Sequence, residues 1–234
     1  MARLAVVGST VKRQPRRYDA SGRRAAARET RARIVDTGYR LFLERGYAAT
    51  RMAEVAQAAG VSLETVYTSV GTKSALIRHL VEIALSGTDE PVPALERAST
   101  QEIRDQPDPR QKLVMFAGVV RRLNERVAPL WALIREAAAG DPELKALADE
   151  LDQRRAAHMR LFVAESLEAT GALRPGLSLE TAADIVWATN APEFFLLLVR
   201  DRGWDADFFE RWLADTWTRL LLDEAEILPP TGGR

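Results

Sequence analysis

Apolar residues recur along most of this chain at intervals of three and four, the rhythm of helices that bury one face. Ile34, Gly38, Leu41 and Phe42 fall at i, i+4, i+7 and i+8, and Gly46 follows where a C-cap residue belongs. Met52, Val55, Ala56 and Ala59 then repeat at i, i+3, i+4 and i+7. They predict a second helix of about two turns, with Thr50 as its N-cap oxygen. Gly60 interrupts the rhythm, and Ser62 caps a third short helix. In that helix Val66 and Val70 lie about 40° apart and form a buried stripe. Its opposite face carries Glu64 and Thr68, flanked by Thr65 and Tyr67, with Leu63 nearer the buried edge.

Later breaks fall at Ser86–Pro93, Gln106–Pro109, Ala139–Pro142, Gly171–Gly176 and Gly203. Between them the segments are rich in Leu, Ala, Glu and Arg and show no strand alternation, hairpin signal or repeat. The pattern therefore predicts an all-α chain.

Two consecutive helices of two turns each are too short to be stable alone. A two-turn helix is ~12 Å long, and the DNA major groove is ~12 Å wide. The first would buttress the second, and the second would enter the groove with its polar face uncovered. Charge supports this reading. The chain is neutral overall, yet residues 1–80 hold 15 Lys/Arg against 6 Asp/Glu, a balance of +9, and the remainder holds 18 against 27, a balance of −9. A basic front end suits a polyanion, and an acidic back end is kept away from it.

The stretch from Thr50 to Lys73 resembles the helix-turn-helix of the TetR family of transcriptional regulators. The resemblance rests on Gly46, Tyr47, Thr50, Val55, Ala56, Ala59-Gly60-Val61-Ser62, Thr65-Val66-Tyr67 and Lys73. Residues 1–22 mix Arg, Lys, Gly, Pro and Ser without helical period and read as a disordered basic arm; the resemblance implies a three-helix DNA-binding domain over residues 23–72. A helical ligand-binding and dimerisation domain would span 73–226, with a flexible tail over 227–234. It further implies a homodimer that represses transcription at a pseudo-palindromic operator until a small-molecule effector binds. Matching family positions, Thr50, Tyr67 and Lys73 would touch phosphates. Leu63, Glu64, Thr65 and Thr68 would lie nearest the base edges, and Ser62 belongs to the same DNA-binding set. The arm residues Lys12, Arg13, Arg16, Arg17, Arg23 and Arg24 could follow the minor groove. Two departures stand out: Val70 replaces the usual Phe, and Glu64 puts an acid on the groove side, where it is repelled by phosphate unless it accepts from a cytosine amino group.

In the C-terminal half, Trp212 and Trp217 are roughly 140° apart around one helix and cannot share a face. One would enter the subunit's own core and the other meet a partner. By resemblance, Phe194, Leu198, Phe208, Trp212, Trp217 and Leu221 form the dimer interface. Met115, Phe116, Trp131, Arg135, Phe162, Trp187 and Asn190 mix bulky apolar groups with a few polar ones, as a pocket for an apolar or amphipathic ligand does. For any one of them taken singly, core packing is the better account. His158 reads as a partly exposed helix residue rather than a ligand group.

Other chemistry finds little support. The chain has no Cys and two His, which excludes disulfides and thiolate sites and argues against a metal cluster. Val6–Lys12 lacks the GxxxxGK spacing, and neither HExxH nor a nucleophile–base pair is present. No enzyme activity and no cofactor are expected. The six-residue run Phe194–Val199 is far short of the ~20 needed to span a bilayer, so a cytoplasmic protein without a membrane partner is expected. The remaining alternative is a ligand-independent DNA-binding regulator whose C-terminal half only dimerises.

Overall fold

The computed structural model describes residues 20–88 and 90–223. The protein is all-α, as the hydrophobic rhythm predicts; among the described residues the departure is a single bridge between Leu173 and Leu222. Helix α1 (Ala20–Ala49) begins at Ala20 rather than Arg23, so residues 20–22 are helical and not part of an irregular arm. Lys12, Arg13, Arg16 and Arg17 lie outside the described residues.

On α1 the predicted stripe is buried: Ile34, Leu41 and Phe42 are at most 2% exposed. Gly38 sits on the same face for a steric reason. A Cβ there would stand 2.7 Å from Leu76 Cδ2, so the absent side chain lets α1 close onto α4. Gly46, at φ 80, breaks α1 before its last turn, a conformation that costs glycine little.

Helices α2 (Met52–Ala59), α3 (Leu63–Val70) and α4 (Lys73–Ser86) follow. Gly60 turns the chain at φ 68. Ser62 accepts from the Thr65 N–H and Thr72 from the Ala75 N–H, so each of the next two helices starts on a hydroxyl cap. Val55, Val66, Leu76 and Ile77 are fully buried against α1. The eight-residue helices α2 and α3 thus owe their stability to this shared core rather than to their own propensity.

The remainder comprises α5 (Ala98–Asp105), α6 (Pro109–Ala137), α7 (Pro142–Val163), α8 (Leu179–Thr189), α9 (Pro192–Phe195) and α10 (Ala206–Leu221). A π-type turn over Ala164–Glu168 prolongs α7, and another over Leu196–Asp201 prolongs α9. Asp108 and Asp141 cap α6 and α7, each followed directly by a proline whose missing N–H is no loss in a first turn. Helix α6 is the spine, touching α1, α4, α5, α7, α9 and α10. Its C-terminal part, with Val127, Leu130, Trp131 and Ile134, joins the core of α1–α4 together with Leu144, Leu147 and Leu151 of α7. Its N-terminal part, with Leu113, Ala117 and Val120, belongs to a second core with α8 and α10. Among the described residues no single helix is long and apolar enough to cross a membrane.

Candidate nucleic-acid interface and ligand cavity

Helix α3 buries Val66 and Val70 and leaves Ser62, Leu63, Glu64, Tyr67 and Thr68 exposed, with Thr65 half-buried. Leu63 is 41% and Tyr67 50% exposed, so one whole side of this short helix is uncovered. The Thr68 hydroxyl donates to the Glu64 carbonyl at 2.7 Å and to the Thr65 carbonyl at 3.2 Å, so it is engaged within the helix. Arg31 of α1 donates to the Ser69 carbonyl and holds the C-terminal turn of α3.

Thr50 requires a correction. It is 1% exposed, and its hydroxyl donates inward to the Leu41 and Gly46 carbonyls at 3.1 and 2.9 Å. It neither caps α2 nor reaches a phosphate; it closes the open end of α1 after the break at Gly46. The N-cap position falls to Arg51, whose own N–H donates to the Glu54 carboxylate at 2.9 Å. The Arg51 side chain is 81% exposed and stands beside the free amides of the α2 N-terminus, where an anion is favoured. Sequence reasoning passed over it because arginine is not a capping residue. Lys73 opens α4 and lies 4.1 Å over the Tyr47 ring, with Nζ 3.4 Å from the Ala48 carbonyl. Burial lowers its pKa. Arg23 and Arg24 are exposed on the first turns of α1.

A cavity of about 540 Å³ lies among α4, α6, α7 and the segment leading into α5. Phe116, Trp131, Phe162 and Asn190 line it; Met115, Arg135 and Trp187 do not. Arg135 points outward to Glu193 at 3.6 Å, and Trp187 packs beneath the Arg155 guanidinium at 4.4 Å. Phe116 and Phe162 stack at 4.1 Å and form an aromatic wall, backed by Trp217 at 5.4 Å from Phe116.

The polar lining was largely missed. Asn124 is completely buried; its amide donates to the Asn190 carbonyl at 3.1 Å. Because a carbonyl can only accept, that bond assigns the nitrogen and leaves Oδ1 as the other atom. Among the described residues neither Asn124 Oδ1 nor the indole N–H of Trp131 has a hydrogen-bond partner, and the same holds for the indole N–H of Trp187, which does not line the cavity. A signal for Asn124 existed: it interrupts the apolar stripe Val120, Val127, Trp131 at helical spacing. Arg97, Arg154, Arg155 and His158 also line the cavity, so His158 is a wall residue after all. Burial lowers its pKa, and the neighbouring charges of Arg154 and Arg97 lower it further.

Residues 34–80 match the family model described as bacterial regulatory proteins, tetR family. Over those residues the chain carries a helix-turn-helix of the TetR type. Among curated relatives it is 37% identical over 83 residues to the HTH-type transcriptional regulator TtgR of Pseudomonas putida, a match spanning 36% of this chain and 37% of the relative. The chain thus matches little more than a third of that relative's length. The whole fold is similar to that of NalD, described as the secondary repressor of the MexAB-OprM multidrug efflux pump in Pseudomonas aeruginosa, with a TM-score of 0.65, 23% identity and coverage of 85% of this chain and 98% of that one. A regulator from Saccharomonospora viridis in complex with choline gives a TM-score of 0.62 at 19% identity, covering 83% and 98%.

Within this architecture, the helix-turn-helix module is tied to the part that holds the cavity along α4. Ser74 donates to Glu143, Arg78 pairs with Glu150 at 2.8 Å, and Glu82 pairs with Arg154 at 2.8 Å. The α4 partners recur every four residues, so three polar contacts run down one face of α4 onto α7. Beside the first of them, Tyr47 is buried against Asp141, and desolvation with that carboxylate's charge pushes its pKa up to about 12.

Of the residues assigned to a dimer contact, Trp217 and Leu221 require correction. Both are fully buried in their own subunit, and the Trp217 indole donates to Thr189 at 2.8 Å. Phe208 is 44% exposed, whereas Phe194, Leu198 and Trp212 are half-buried. With Leu197 at 51% and Leu220 at 42% they form an apolar surface. Phe194 stacks on Trp212 at 5.7 Å, and Trp204 meets Phe208 at 4.8 Å with the rings tilted by 60°.

Proposed function

We propose that this protein is a homodimeric, sequence-specific DNA-binding regulator of transcription, acting in the cytoplasm and released from its operator when a small apolar or amphipathic molecule fills the cavity. The observation that carries the DNA-binding reading is the uncovered polar side of α3, on a helix too short to stand alone. Leu63, Glu64, Thr65 and Thr68 reach base edges, with apolar groups suited to thymine methyls and the Glu64 carboxylate suited to a cytosine amino group. Ser62, Tyr67, Lys73 and Arg51 meet the phosphates, and Arg23 and Arg24 extend the basic surface. Two such helices in a dimer read successive major grooves, ~34–36 Å apart, so the operator is a pseudo-palindrome.

Release is a population shift. A ligand that fits a state in which α4 has moved against α7 favours that state by its difference in affinity, and the paired helices then cease to match the groove spacing. The competing reading, a C-terminal half that only dimerises, is disfavoured by the cavity itself, about 540 Å³ with Phe116 and Phe162 as an aromatic wall and Arg97, Arg154 and His158 as polar lining.

Selection of bound sequences from a random DNA pool tests the central claim. A pseudo-palindrome should emerge, bound with an affinity that falls with salt at about 0.9 log units per phosphate contact. Arg51→Ala should weaken every sequence alike and reduce that slope by about one contact, whereas Glu64→Gln should change which bases are preferred. Affinity indifferent to both salt and sequence would contradict the assignment.

A further inference from the structure

Four arginines line the cavity, and three of them are matched by carboxylates. Arg104 makes two 3.0 Å bonds to Glu165, Arg154 meets Glu82 at 2.8 Å, and Arg155 meets Asp152 at 3.1 Å. Arg97 is the exception. Its Nε donates to the Val92 carbonyl at 3.1 Å, and it forms no ion pair among the described residues. Burial lowers its pKa first and the charge of Arg154 lowers it further; Glu82, shared with Arg154, opposes this in part, and Arg126 adds to the lowering. A guanidinium does not lose its proton in a protein, so Arg97 stays charged in a half-buried place short of one negative charge. His158 experiences the same positive field from Arg154 and Arg97.

This polar rim lies on the solvent side: the chain leading into α5 is exposed at Pro91, Pro93 and Leu95, and the Arg154 side chain is 36% exposed. The aromatic wall of Phe116 and Phe162 forms the apolar part. Resting on the ligand-binding reading above, we propose that the cavity selects an anionic amphiphile, its acid group held between Arg97 and Arg154 and its apolar body laid against Phe116 and Phe162. Glu82 is then the competitor. It already occupies Arg154, and it is carried by α4. An acid arriving at Arg154 displaces the Glu82 contact and removes the last of the three polar links between α4 and α7, so the group that gives affinity also loosens the DNA-binding module.

The test uses full-length protein and three probes of one chain length, dodecanoate, dodecanol and dodecyltrimethylammonium, each below its micellar concentration and followed by tryptophan fluorescence. Dodecanoate should bind about tenfold tighter than dodecanol, as one uncompensated charged contact implies. The ammonium should bind least. Arg97→Gln should abolish the preference for the acid while leaving dodecanol within about twofold, and Arg97→Lys should keep it. Glu82→Gln should tighten dodecanoate alone, because Arg154 is then free for the acid. Equal binding of acid and alcohol, or loss of both alike in Arg97→Gln, would sink the acid assignment and leave the cavity a ligand site. Binding of none of the three would overturn the ligand-binding reading and this inference together.

Discussion

Glu82 of α4 and Arg154 of α7 meet at 2.8 Å with both side chains in the wall of the cavity. One ion pair therefore belongs both to the cavity wall and to the helix that follows the helix-turn-helix. Breaking it should be felt at the DNA. A partly exposed pair contributes about 0.2–1 kcal/mol, so Arg154→Gln should weaken operator binding by a few-fold at most in the absence of ligand. The pair with Glu82→Gln should be non-additive, since the second change finds no partner left to remove. Fluorescence anisotropy on the selected operator, run through the full double-mutant cycle, measures this. Additive losses would mean that the contact does not couple the two regions.

The close approach of α1 and α4 at Gly38 yields a prediction about stability. Gly38→Ala puts a methyl 2.7 Å from Leu76 Cδ2 inside a packed core. Overpacking of that kind costs about 1–3 kcal/mol, despite the gain in helix propensity from glycine to alanine. Urea unfolding should show the loss, and Gly38→Ala with Leu76→Ala should lose less than the two single changes added together.

Gly38 also shows how far the sequence was legible. Its place on the apolar face of α1 followed from spacing alone, as did the two short helices, their turn at Gly60 and the cap at Ser62, because each is a local pattern. What local pattern could not supply was the direction of a side chain whose partners are distant in sequence. Thr50 reads as a cap, yet its hydroxyl turns back to carbonyls at positions 41 and 46. Trp217 is held in the core where Thr189, from another helix, accepts a hydrogen bond from its indole N–H. The basic rim of the cavity was invisible for the same reason: Arg97, Arg154 and Glu82 lie on three separate elements and meet only in the folded chain.

The two histidines make stability depend on pH in a known direction. His158 has its pKa lowered from 6.5 by burial, then by Arg154 and Arg97. His79 is lowered by burial and Arg31, against smaller opposing effects of Glu90 and Glu82. In both cases the unfolded chain binds the proton more readily, so the contribution to stability is present above about 6.5 and is lost as pH falls through the depressed folded values. Thermal melts should therefore shift downward below pH 6.5, and His158→Gln should flatten part of that decline. A melting temperature that rises over that interval would contradict the placement of both rings.

The exposed aromatic surface on α9 and α10 gives the final prediction, because it separates assembly from folding. Phe208 and Trp212 are neighbours one turn apart on α10, and the first is 44% exposed, whereas Trp217 on the same helix is fully buried. If the outer face is where two copies meet, Phe208→Glu should place a charge in the contact and yield a folded monomer by light scattering, with operator affinity collapsing because half-sites are no longer bound together. Trp217→Ala should act differently. Emptying that site behind Phe116 costs about 3–5 kcal/mol, so it should lower the melting temperature sharply whatever the protein concentration. A Phe208→Glu variant that remains dimeric, or that unfolds as Trp217→Ala does, would move the interface away from α10 and require another face to hold the two reading helices in register.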